Sequence, residues 1–198
     1  MAPRKKEVNQ QIRDARKEQI LLAALKVFAK RGFYGTKISD ISSMAGLSHG
    51  LVYHYFASKD EIFTDLVKRA LESRSRVVSL ALEQPGTALD KINWLTRMIL
   101  HGGGEESPYY FLIVLQSFTS DAVPDEVKEM IGALPPSMNE FDTLIREGQR
   151  AGLVIDGDPA LLGALYFSLI QGLVIASVEG FGLTPEFDEN LILRLLKK

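Results

Sequence analysis

The stretch from Gly46 to Glu61, "GLSHGLVYHYFASKDE", sets two of the chain's three histidines beside two tyrosines, with no acidic side chain before Asp60. Imidazoles and phenols both donate and accept hydrogen bonds, so a helix bearing them without a carboxylate can approach phosphates and base edges unrepelled. At about 100° per residue from Ser48, Val52, Tyr55 and Phe56 fall towards one side of that helix. Gly50, Tyr53 and His54 fall on the other side, with Leu51 at the margin and His49 projecting from the first turn. A glycine on the outer face lets the backbone come close to a groove floor. The alternative is that Tyr53 and Tyr55 only pack against neighbouring helices.

Other chemistry is poorly supplied. His49 and His54 are five apart and point in different directions on a helix, and His101 has only Glu105 and Glu106 nearby, so no metal site is expected. With no cysteine, thiolate sites and disulfides are excluded. A nucleophile elbow, a phosphate-binding glycine loop and paired carboxylates in an apolar setting are all missing, and "GGG" at 102–104 follows no strand. No cofactor is implied, and the sequence reads as that of a non-enzyme.

The elements that must position these residues are helical. "ARKEQILLAALKVFAKRGF" spaces Ile20, Ala23, Ala24, Val27 and Phe28 as one face of a first helix, with Gly32 as its stop. Thr36 is placed to cap a short second helix with Ile38 and Ile41 inward, ending before Gly46, the residue best able to turn left-handed. Ser48 caps the third helix, and Ser58 with Glu61 opens a fourth that runs past Leu71. Ser107-Pro108, Asp158-Pro159 and Thr184-Pro185 each pair a capping side chain with a proline suited to a first helical position. No stretch alternates as a hairpin does, so the expected fold class is all α. Two short helices joined by a tight turn on a longer first helix describe a helix-turn-helix.

Charge divides the same way. Residues 1–59 hold eleven Lys/Arg and four Asp/Glu, 11 − 4 = +7, and residues 60–198 hold twelve and twenty-one, 12 − 21 = −9, which sum to the net charge of -2. A basic module on an acidic body suits phosphate-backbone binding by one end. With 198 residues, 46% hydrophobic and 24% charged, the chain is of soluble globular type. Its start has basic residues without the apolar core of a secretory signal, so a cytoplasmic location is expected.

Residues 160–178, "ALLGALYFSLIQGLVIASV", carry no charge and raise a rival reading, a membrane-attached interaction protein. Asp156, Asp158 and Glu179 flank it where basic and aromatic anchors belong, so no membrane is expected. The other rival is an α-helical enzyme. Within the segment Ala160, Ala164, Ser168, Gly172 and Ala176 form a row of small side chains at four-residue spacing, along which another helix can approach at a steep crossing. That helix belongs either to the same subunit or to a second one. On "TALDKINWLTRMILHG", Trp94, Met98 and His101 share a face, and "PYYFLIVLQSF" with Tyr110 is free of charge. With Phe141, Leu144, Tyr166 and Gln171 these residues either line a cavity for a mainly apolar ligand or fill a core. Arg97 or His101 is placed to pair with an acidic group on such a ligand.

Residues 15–67 resemble the DNA-binding region of the TetR family of bacterial transcriptional regulators. The features that carry the likeness are "FAKRGF", Thr36, "AGLS" at the turn, "LVYHYF" and "SKDEIF". The resemblance implies a homodimer that binds a palindromic operator in double-stranded DNA through residues 1–58. Residues 59–198 would then hold a small-molecule inducer and the dimerisation helices. By position, His49, Gly50 and Leu51 resemble base-reading residues, and Tyr53 the aromatic that meets a thymine methyl or a phosphate. His54 and Tyr55 resemble further backbone contacts, and Thr36, Lys37 and Lys59 the phosphate clamps. Position 51 is often threonine or another small polar residue in the family; leucine here either meets a thymine methyl or turns inward. The resemblance also implies that the helix bearing Ala164, Ser168, Gly172 and Ala176, with the last helix, makes a four-helix dimer interface. The function implied is a ligand-responsive repressor.

Overall fold

The computed structural model describes residues 3–102, 104–134, 139–176 and 189–198. Among them are ten helices: α1 (Pro3–Gly35), α2 (Ile38–Ala45), α3 (His49–Tyr55), α4 (Lys59–Leu82), α5 (Ala88–His101), α6 (Ser107–Thr119), α7 (Asp125–Gly132), α8 (Asn139–Arg150), α9 (Pro159–Ala176) and α10 (Glu189–Arg194). The described residues form no strand beyond one isolated antiparallel bridge, Val154 to Lys197, so the fold is all α. The proposed cap at Thr184-Pro185 lies outside the described residues.

The chain packs as two units. The first comprises residues 1–69 and 112–132, the second residues 70–111 and 133–198. This division differs from the expected boundary between residues 58 and 59. That boundary rested on the Ser58 cap, a local signal, whereas the first turns of α4 bury Ile62, Phe63 and Leu66 and so belong with the helices before them.

In the first unit α1 buries Ile20, Ala23, Ala24, Val27 and Phe28, as their spacing predicts, and Leu21 and Leu25 join them in the core. Phe28 meets Phe63 edge-on with centroids 5.0 Å apart, and Phe33 closes the trio at 5.0 Å from Phe63. The regular helix ends at Gly32, as expected: the backbone leaves helical geometry there at φ 72° and ψ 168°, and a further turn runs on to Gly35. The cap of α2 shifts accordingly from Thr36 to Lys37. At the other end Gly46 takes the left-handed conformation, φ 64° and ψ 32°, and turns the chain from α2 into α3.

In the second unit one buried cluster joins α5 (Ile92, Leu95), α8 (Phe141, Leu144, Ile145), α9 (Tyr166, Ile170) and α10 (Ile192). Thr87 and Asp90 form a reciprocal cap at the start of α5, and Asp158 accepts the Ala160 N–H at 3.0 Å before α9. Helix α9 buries Leu162, Gly163, Tyr166, Ile170 and Val174 on one side. It is also the one described helix long and apolar enough to cross a membrane.

Candidate DNA-binding site

The reading face is built by α3. Ser48 caps it, its hydroxyl accepting the Leu51 N–H at 3.2 Å, and Phe56 N–H closes it on the Val52 carbonyl at 3.0 Å. Val52 and Phe56 are buried, Gly50, Tyr53 and His54 are exposed, and Leu51 and Tyr55 are half-buried. The division follows the 100° register predicted from sequence. Tyr53 keeps 48% of its surface in solvent and meets the His49 ring edge-on at 5.0 Å, so the two side chains form one aromatic platform. His54 meets Tyr55 in the same way at 5.3 Å.

Beside the platform lies an open depression of about 530 Å³ lined by the start of α2 (Thr36, Lys37, Ile38, Ser39), by His49 and Tyr53, and by residues 57–60 at the start of α4. The structure thus brings Thr36, Lys37, His49, Tyr53 and Lys59 together, while Gly50, Leu51, His54 and Tyr55 lie on α3 outside this depression. Two helix N-termini open onto it, where backbone N–H groups favour an anion, and the exposed Asp60 is part of its lining. Glu61 N–H is taken by the Ser58 hydroxyl and Ala57 N–H by the Glu61 carboxylate, which fixes the entry to α4.

Two of the expected clamps have partners within the chain. Thr36 is only 1% exposed, and its hydroxyl donates to the Gly32 carbonyl at 2.7 Å, so that hydroxyl ties the last turn of α1 and is already used. Lys59 sends its ammonium back to the carbonyls of Phe33 and Thr36, both at 3.0 Å, and over the Phe33 ring at 4.5 Å. An ammonium has three N–H donors, so one remains for the depression that Lys59 lines. Lys37 is exposed, and its backbone N–H bonds Asp40 at 2.9 Å. That bond is the main reason the Asp40 carboxyl sits below its ordinary pKa, with Arg31 at 2.8 Å assisting.

Residues that sequence spacing did not point to hold the reading helix in place. Lys17 stands 5.2 Å over the Phe56 ring and 2.8 Å from Asp65, and the Gln19 amide donates to the Ala45 carbonyl at 2.7 Å, at the end of α2. These partners are 26 to 48 positions away, beyond any local pattern. Ser39, in the first turn of α2, was a legible candidate for the depression that the residue types did not single out.

The candidates for a ligand site in the second unit separate. Phe141 is fully buried and stacked on Tyr166, centroids 4.7 Å apart, as part of the core. The Tyr166 hydroxyl bonds Thr96 Oγ1 at 2.8 Å, and burial pushes this phenol's pKa up. His101 is exposed at the end of α5, and Arg97 pairs with Glu189 at 2.6 Å. Arg97 therefore already has an acidic partner within the chain. Trp94, Met98, Tyr110 and Gln171 are half-buried, Trp94 against the core cluster. Of the small row, Ala164, Ser168 and Gly172 are exposed and Ala160 and Ala176 half-buried, so the centre of the row does not pack within the subunit.

Residues 20–66 match the family described as bacterial regulatory proteins, tetR family. The HTH-type transcriptional activator FasR of Mycolicibacterium smegmatis is 34% identical over 150 residues, 73% of this chain and 68% of FasR. The HTH-type transcriptional repressor NicS of Pseudomonas putida is 35% identical over 95 residues, 46% of this chain and 45% of NicS, so the match spans less than half of that relative. Among solved structures, AibR in complex with isovaleryl coenzyme A and operator DNA superposes with a TM-score of 0.66 at 15% identity, covering 90% of this chain and 94% of AibR. That likeness is one of fold.

Proposed function

Because the chain belongs to the TetR family of bacterial regulatory proteins, we propose that it is a cytoplasmic transcriptional repressor, not an enzyme, that binds a palindromic operator as a homodimer and is released by a mainly apolar small molecule. The observation that carries the reading is the face of α3: an aromatic platform of His49 and Tyr53 beside Gly50, free of acidic side chains and flanked by two helix N-termini. His49 and Gly50 at the start of α3 meet base edges, Tyr53 meets a thymine methyl or a phosphate, and Lys37 and Lys59 take phosphates. The half-buried Leu51 offers only its edge to a thymine methyl.

The dimer is supported by what α9 leaves uncovered. Leu161 and Leu165 are 58% and 60% exposed beside Ala164, Ser168 and Gly172, and Leu191 on α10 and Leu195 just after it are equally open. An apolar face of this kind on two helices suits a second copy of the chain. The structural neighbour AibR, solved in complex with isovaleryl coenzyme A and operator DNA, supports a ligand with an apolar acyl group. For this chain we assign the ligand to the neighbourhood of Trp94 and Met98. Helices α4 and α6 each contain residues of both packed units, and ligand binding is transmitted along them.

Selection of binding sites from random duplex DNA tests the reading, with an inverted repeat expected whose half-sites lie about 34–36 Å apart. Failure to enrich any sequence would overturn it. Titration of the selected complex with acyl coenzyme A thioesters, for wild type and Trp94→Ala, then tests the ligand site. A changed release curve with unchanged ligand-free affinity is expected, corresponding to a coupling of about 1–3 kcal/mol. Identical curves would return Trp94 to the core.

A further inference from the structure

We propose that the first half of α1 is a second DNA-binding surface, laid along the phosphate backbone beyond each operator half-site; the proposal rests on the operator-binding reading above. Helix α1 begins at Pro3, and every residue from Glu7 to Arg16 is exposed. The core begins only at Ile20. A helical extension of some sixteen residues, about 24 Å long, therefore precedes the packed part of the helix.

From Glu7 to Glu18 its charges are sorted by side. At 100° per residue, positions Asn9, Arg13, Arg16 and Lys17 share an arc of about 100°, while Glu7, Asp14 and Glu18 share an arc of about 40° on the other side. A helix designed only for solvent interleaves opposite charges three or four residues apart. Here the acids are occupied elsewhere: Asp14 accepts the Gln10 amide at 2.8 Å, and Glu18 pairs with Arg69 at 2.7 Å. Arg13 makes no ion pair with a described residue. Between residues 3 and 17 six Lys/Arg face two Asp/Glu, 6 − 2 = +4.

The extension's root is fixed to the reading head. Lys17, at the inner end of the basic arc, lies over Phe56 at the end of α3, and Gln19 holds the end of α2. The contacts that seat the recognition helix therefore also aim the basic arc. A duplex presents a phosphate charge every 1.7 Å or so of its axis, so a 24 Å extension runs beside about seven base pairs. An anionic membrane is the competing polyanion. Between Glu7 and Glu18 the extension exposes two large apolar side chains, Val8 and Ile12, too few to seat a helix in a bilayer interface.

The test compares the full-length chain on its selected operator, trimmed to the inverted repeat or carrying ten further base pairs at each end. Wild type is expected to bind the longer duplex about tenfold more tightly at low salt. The double variant Arg13→Gln/Arg16→Gln should bind both equally, at the wild-type affinity for the trimmed duplex. Its plot of log affinity against log salt on the longer duplex should be shallower by about two units or more, as lost phosphate contacts predict. Glu7→Gln/Asp14→Asn, on the opposite side, should retain the preference for the longer duplex. Equal wild-type affinity for the two duplexes, or an unaltered preference in the arginine variant, would overturn the proposal while leaving operator binding intact. Loss of phosphatidylserine-vesicle binding by the arginine variant with DNA affinity untouched would reassign the arc to a membrane. If no sequence is enriched with wild type, the operator reading falls and this proposal with it.

Discussion

Lys59 illustrates how a single charge is shared between fold and function. Two of its three N–H donors hold the carbonyls of Phe33 and Thr36, and the third is left for the depression. Hydrogen bonds from a charged donor contribute about 1.5–3 kcal/mol, so Lys59→Ala is expected to lower the melting temperature as well as to weaken specific and non-specific DNA binding alike. Tyr53→Ala and His49→Ala remove exposed groups. Each should cost about 1–3 kcal/mol of specific binding with the melting temperature unchanged, measured by operator titration and thermal scan. Asp40 provides a pH signature. Its folded pKa is depressed by the Lys37 N–H and by Arg31, so its contribution to stability is full above the ordinary carboxylate value of about 4 and is lost as pH falls through the lower folded value. Asp40→Asn should therefore melt below wild type at neutral pH and converge on it as pH drops below about 4. A gap that persists in acid would assign the effect to packing.

At the scale of elements, the turn between α2 and α3 depends on backbone conformation rather than on space. No atom lies within 4 Å of where a Cβ on Gly46 would sit, yet its φ of 64° is one that side chains with a Cβ adopt at a cost of about 1–2 kcal/mol. Gly46→Ala should lower stability by that amount and Gly46→Asn by less, which equilibrium unfolding measures. Short helices were readable because their signals are local: Ser48, Ser58 and Asp158 each cap where spacing placed them, and the two faces of α3 followed from register alone. Thr36 was misplaced because a turn follows Gly32 and draws its hydroxyl back to the Gly32 carbonyl four residues upstream, which a glycine in sequence does not reveal. Lys59 was legible as a charge near the site but not as a brace, since its partners lie 23 and 26 residues upstream. Phe141 shows the limit of periodicity in the second unit. Spacing turns it inward, but whether the interior is a cavity or Tyr166 depends on helices that spacing does not bring together.

At the scale of the whole molecule, the proposed binding of a palindrome would require two reading heads, one from each of two chains. The assembly must therefore be stable at the concentrations at which the operator is bound, and the uncovered face of α9 is where that requirement can be tested. Gly172 is exposed, and a Cβ built there meets nothing within 4 Å of its own chain. A leucine at this position has room in the isolated subunit, so Gly172→Leu is expected to leave the fold of each chain intact. Between two copies crossing along the Ala164–Ser168–Gly172 row, the same side chain prevents close approach, and overpacking of that kind costs about 1–3 kcal/mol. The variant should sediment as monomer or as a weakened dimer. Its operator affinity should fall, although residue 172 is on a helix with no part in the reading face, because two heads no longer bind as one. Helical content by circular dichroism should match wild type, which separates loss of assembly from loss of fold. A variant that remains dimeric at micromolar concentration and binds operator normally would show that the two copies meet elsewhere. The exposed leucines at 161, 165, 191 and 195 would then need another partner.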